Sequence, residues 1–220
     1  LLKAGFAVMS INYRLLPEGV LPVPYMDAAR AVQYARYNAK ALNIDKTKVG
    51  LMGSSAGGLT ALFVGFYDDM ADPDSKDPIG KESTRVSGMA VFSAQTTLDL
   101  DVLKTRIGEP VLNHSFAKGR LFGLRPSDMQ SEEGKKAALR FSPMTYLTKD
   151  DPPVWAMYTV ADKPMTPETT VSDAIHHPNF GKVLKEKMDE LKIECKLRHR
   201  DDGQNVNSDL AAFFQRVFKN

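Results

Sequence analysis

Apolar positions along this chain fall into two recurring patterns. Short runs that are apolar or β-branched nearly throughout, each ended by turn residues, occur at Phe6–Asn12 (FAVMSIN), Lys48–Gly53 (KVGLMG), Val86–Ala94 (VSGMAVFSA), Pro153–Thr159 (PVWAMYT) and Ile193–His199 (IECKLRH). Each predicts a strand, and continuous apolarity in several of them predicts burial on both faces. Between the runs the spacing is helical. Ala28, Ala31, Val32, Ala35, Ala39 and Leu42 share one face of a helix that Asn43 can end. Phe180, Leu184, Met188 and Leu191 repeat the pattern before the last strand, and Val206, Leu210, Phe213, Phe214 and Val217 repeat it near the C-terminal end. Strands alternating with helices predict an α/β fold with a mostly parallel sheet and helices on both faces. Residues 95–150, including RLFGLRPSDMQSEEGKKAAL, break the alternation and read as a lid or insertion over one end of the sheet.

Composition narrows the picture. With 220 residues, 43% hydrophobic and 25% charged, the chain suits a single domain over 1–220, large enough to bury about 70% of its unfolded surface. The net charge of +2 is spread along the chain, so no basic stripe points to nucleic acid and a small-molecule partner is expected. Cys195 is the one cysteine, which excludes an intrachain disulfide and a cysteine-based metal site. No apolar run reaches the roughly 18 residues of a membrane span. Asp68, Asp69, Asp72, Asp74 and Asp77 have the look of a cation loop, but Lys76 stands where a carboxylate is needed and no Glu follows at the right spacing. A solvated loop is the expectation, and neither a metal nor an organic cofactor is called for.

Candidate chemistry centres on KVGLMGSSAGGLTALFVGF, Lys48–Phe66. Gly53, Ser55 and Gly57 fit G-x-S-x-G, a pattern that chance supplies about 0.1 times in a chain this long. Position gives it weight: a buried-strand pattern ends at Gly53 and a helical one begins at about Ala56, the setting a nucleophile elbow requires. A serine at so sharp a turn is strained, and side chains larger than Gly or Ala two residues on either side are expected to collide across it. The following helix directs free N–H groups, that of Ala56 first, at the place where an oxyanion would form.

AGFAVMSINYRLLPEG, followed by PVPYMDAARAVQYARYNAKALNIDKTKVGLMGSSAGG, resembles the α/β-hydrolase esterase and lipase family related to hormone-sensitive lipase and the bacterial acetyl esterases; Tyr13–Glu18 and Gly53–Gly58 carry the likeness. The tracts FYDDMADPDSKDPIGKESTRVSGMAVFSAQTTLD and IHHPNFGKVLKEKMDELKIECKLRHRDD resemble a bacterial esterase or lipase subgroup. The resemblance implies a serine carboxylester hydrolase acting on small acyl esters, with Ser55 as nucleophile. It also implies a His-Gly-Gly oxyanion loop and central strands upstream of Leu1, so the sequence reads as N-terminally incomplete.

In this family the triad follows the chain order serine, acid, histidine. PPVWAMYTVADKP then makes Asp162 the acid, with Glu168 and Asp173 behind it. The family histidine should follow the last strand, where Gly203 or Gln204 stands instead. His199, at the end of that strand, is the first choice for the base, with His177 and His176 as alternatives; His114 precedes the acid and breaks the order. Two competing readings stay open: a hydrolase-fold protein that has lost catalysis and binds a ligand, and a serine peptidase of the same fold.

Overall fold

A computed structural model describes residues 1–203 and 205–219. Four parallel strands lie side by side in chain order: β1 (Gly50–Ser54), β2 (Gly88–Phe92), β3 (Val154–Tyr158) and β4 (Cys195–His199). The helices are α1 (Val23–Tyr37), α2 (Ala39–Leu42), α3 (Ala56–Phe66), α4 (Leu100–Val102), α5 (Glu132–Arg140), α6 (Val171–Ile175), α7 (Asn179–Glu190) and α8 (Val206–Val217). Four predicted strands and the three predicted helical patterns are present with ends shifted by a few residues, except that the first pattern is broken at Asn38 into α1 and α2; α2 ends at Asn43 in the left-handed conformation, φ 52°.

Two-residue periodicity divides the sheet between two apolar clusters. From β2 and β3, Met89, Val91, Val154, Ala156 and Tyr158 point into the larger cluster with α3 and α7. Ala90, Trp155 and Met157 point the other way, against Leu210, Phe213, Phe214 and Val217 of α8. Both faces of β2 and β3 are thus covered, as parallel strands require, whereas β1 leaves Met52 49% exposed. Asp209 fixes α8 to the sheet, accepting hydrogen bonds from Trp155 Nε1 at 2.8 Å and Arg198 Nε at 3.0 Å and pairing with Lys196. Burial alone would raise its carboxyl, but these donors prevail and hold its pKa at about 2.

One expectation needs correction. Phe6–Asn12 forms no strand: among the described residues it has no ladder partner, and Val8 and Met9 are 51% and 48% exposed. An apolar run without a neighbour to bond has nothing to hold it in a sheet. Phe6 instead packs edge-on against Phe214 and Phe218. Residues 95–150 interrupt the strand alternation between β2 and β3. They fold as short helical turns whose Leu98, Leu103, Ile107 and Val111 are buried in the same cluster as the sheet. Among the described residues no helix is long and apolar enough to cross a membrane.

Candidate active site

Ser55 stands between the last residue of β1 and the first of α3, with φ 50° and ψ −119°. Positive φ is unfavourable for a residue with a Cβ, so the surroundings must impose it. They do so through backbone bonds: Ser55 N–H donates to the Phe92 carbonyl at 2.9 Å, and its own carbonyl accepts from Leu59 N–H at 2.9 Å. The glycines around it are not equivalent. A Cβ on Gly53 would lie 2.2 Å from the Gly57 carbonyl oxygen, and one on Gly58 would lie 2.6 Å from Ala94 Cβ. A Cβ on Gly57 would meet nothing nearer than Tyr13 Oη at 3.9 Å. The expected collision therefore applies on the strand side of Ser55 and not at Gly57, where the crowded position is one residue further on. Ala56 opens the helix, and its N–H lies in the first turn, where backbone donors have no intrahelical partner.

The histidine that meets this serine is His176. Its Nε2 lies 2.8 Å from Ser55 Oγ. It follows the single turn of α6, whose start is capped by Thr170 accepting from Asp173 N–H. With the ring proton on Nδ1, Nε2 accepts the Ser55 hydroxyl proton, the resting state a general base needs. Among the described residues no carboxylate contacts His176. Its titratable neighbour is His114, whose imidazole is held below its usual pKa by burial first and by the nearby His176 second.

The first-choice base and the expected acid lie elsewhere. His199 sits at the end of β4 with Nε2 bonded to the Val160 carbonyl at 2.7 Å, and its Nδ1 accepts from Asp201 N–H. A ring still at the strand's end is absorbed by the neighbouring loop and does not reach Ser55. His177 is 3% exposed, with Nε2 on the Lys163 carbonyl at 2.9 Å and Nδ1 accepting from Asn179 N–H. Its ring is locked by its own loop. Asp162 is bonded to Lys182 Nζ at 2.6 Å, which lowers its pKa, with His177 and His199 contributing less. Its carboxylate serves a half-exposed ion pair and orients no histidine. Asp173 accepts from Thr170 Oγ1. Gly203 follows β4 with φ 65°, and Gln204 lies outside the described residues.

The BD-FAE family model matches residues 1–174. The chain belongs to the BD-FAE family. This is an α/β-hydrolase esterase family, and the matched part of the BD-FAE domain carries Ser55 and Asp162 and stops before His176. Among curated proteins, an arylesterase of Saccharolobus solfataricus is 47% identical over 51 residues, 23% of this chain and 17% of its own. Arylacetamide deacetylase of Oryctolagus cuniculus is 33% identical over 118 residues, 52% of this chain and 28% of its own. The matches thus span less than a third of those relatives' lengths. A truncated carbohydrate esterase from gut microbiota superposes with a TM-score of 0.74 at 21% identity, over 100% of this chain and 77% of its own. The acetyl ester-xyloside bifunctional hydrolase of Caldicellulosiruptor lactoaceticus gives 0.66 at 22% identity, over 94% and 70%. At such identities the likeness is one of fold, and it is the α/β-hydrolase fold.

Proposed function

We propose that this protein is a serine carboxylester hydrolase of small acyl esters, with Ser55 as nucleophile and His176 as general base. The observation that carries the reading is the 2.8 Å contact between Ser55 Oγ and His176 Nε2 at a strand-to-helix turn. His176 takes the hydroxyl proton as Oγ bonds to the acyl carbon, and the carbonyl electron pair moves onto oxygen. The Ala56 N–H, at the positive end of α3, faces that oxyanion. Collapse breaks the bond to the alcohol, which leaves with the proton from His176. Water then attacks the acyl-enzyme, giving one proton to His176, and the carboxylic acid, which ionises in solvent, departs as Ser55 recovers its hydrogen from His176. His176 acts in this scheme without a carboxylate partner.

The test is a fluorophosphonate, which phosphonylates an activated serine with loss of fluoride, followed by peptide mass spectrometry and by p-nitrophenyl acetate hydrolysis. Labelling is expected on Ser55 alone, and Ser55→Ala is expected to lower kcat by on the order of 10⁴-fold or more. Folded protein that labels elsewhere, or not at all, contradicts the reading. The lack of a carboxylate at His176 would then favour a hydrolase fold that binds ligands without turning them over.

A further inference from the structure

Two consecutive side chains with no assigned role lie beneath the candidate site. Gln95 and Thr96 follow β2, and both are polar and buried, 4% and 0% exposed. Burial of an amide or hydroxyl is costly unless it is hydrogen-bonded, so what these groups bond to is informative. Gln95 Nε2 donates to the Ile175 carbonyl at 2.6 Å, and Thr96 Oγ1 donates to the Phe180 carbonyl at 2.8 Å. Ile175 immediately precedes His176. Phe180 closes the same segment at the first turn of α7. The two donors therefore grip residues 176–179 from both ends.

Their base is a hydrogen-bonded stretch that is shared with Ser55. The Phe92 carbonyl at the end of β2 receives Ser55 N–H at 2.9 Å, and Ser93 N–H donates to the Met157 carbonyl at 2.8 Å. Tyr158 Oη, fully buried, donates to the Ala94 carbonyl at 2.8 Å. A further buried contact follows, where Ser142 Oγ meets Thr97 Oγ1 and accepts from Leu98 N–H. One end of β2 thus holds the backbone of the serine directly and the segment of the histidine through two side chains.

We infer that Gln95 and Thr96 are positioning residues that set the Ser55–His176 separation. The inference rests on the proposed Ser55–His176 pair and adds to it the part that keeps the pair aligned. A base lacking a carboxylate to orient its ring depends on its backbone for aim, and an error of about 1 Å in such a pair costs on the order of 10²-fold in rate. Neither residue touches the substrate or the reacting atoms in this account; both act through the 176–179 segment.

The test uses isosteric replacements in the purified protein. Gln95→Met and Thr96→Val remove the donors with little change of volume, while Thr96→Ser keeps the hydroxyl. The first two are expected to lower kcat by about tenfold or more, with KM for p-nitrophenyl acetate within about twofold of wild type and Ser55 labelling slowed in proportion. Thr96→Ser is expected to retain kcat to within about threefold. Wild-type kcat in folded Gln95→Met and Thr96→Val overturns the inference, as does an equal loss in Thr96→Ser. If Gln95→Met and Thr96→Val both fail to fold, the pair is a folding element and the inference is equally overturned. His176→Gln, measured alongside, separates the two claims: if it alone abolishes turnover, the clamp fails and the catalytic pair stands, whereas if it retains turnover, the pair fails first.

Discussion

The Ser55 turn and the His176 segment meet at 2.8 Å, yet different ranges of the chain build them. Ser55 is shaped by its near neighbours: Gly53 and Gly58, the carbonyl of Gly57 and the first turn of α3 lie within three residues of it. His176 is held by side chains 80 and 84 positions away from the carbonyls they grip. The serine turn is local apart from its anchor on the end of β2, where Ser55 N–H meets the Phe92 carbonyl and Gly58 meets Ala94, whereas the histidine's place is wholly tertiary. Damage should differ accordingly, as folding strain in the first region and as misalignment at preserved stability in the second.

The sharpest way to break the local side is at its glycines. Gly53→Ala would force a Cβ to 2.2 Å from the Gly57 carbonyl, and a loss of about 3 kcal/mol or failure to fold is expected in urea denaturation. Gly57→Ala meets only an ordinary contact at 3.9 Å and is expected to change stability by less than about 1 kcal/mol. Equal costs at the two positions would show that the G-x-S-x-G spacing, rather than the contacts found here, governs the turn.

The tertiary side is sharpened by a residue that family order puts in the triad. Asp162 pairs with Lys182 at a half-exposed site, a bond worth about 1 kcal/mol or less. Asp162→Asn is expected to lower kcat by less than about fivefold in the p-nitrophenyl acetate assay. A drop of on the order of 10⁴-fold, the cost of losing a triad acid, would return Asp162 to that role.

What the sequence discloses follows the same division. Strands β2 and β3 were legible because the runs GMAVF and VWAMY are apolar on both faces, and the serine turn was legible because Gly53, Ser55 and Gly58 are neighbours in the chain. Phe6–Asn12 misled because periodicity reports the capacity to be a strand and not the presence of a partner. The histidine misled for a related reason. Topological order favours a ring after β4, and His199 at the strand's last position comes nearest to it, but whether a ring reaches Ser55 depends on where α6 ends and on what Gln95 and Thr96 grip. A local signal was present in Ile175-His176-His177-Pro178, two imidazoles at the end of a helical turn just downstream of the Asp162 loop, and nothing local said which would face the serine. His177, buried and bonded to Lys163, and His176, facing Ser55, are told apart only by the fold.

The most direct measurement compares His176→Gln with His199→Gln in one esterase assay, with folding checked by circular dichroism. The account predicts that His176→Gln lowers kcat by on the order of 10⁴-fold or more while His199→Gln stays within about fivefold of wild type. The reverse order, with His199→Gln inactive and His176→Gln near wild type, would contradict it.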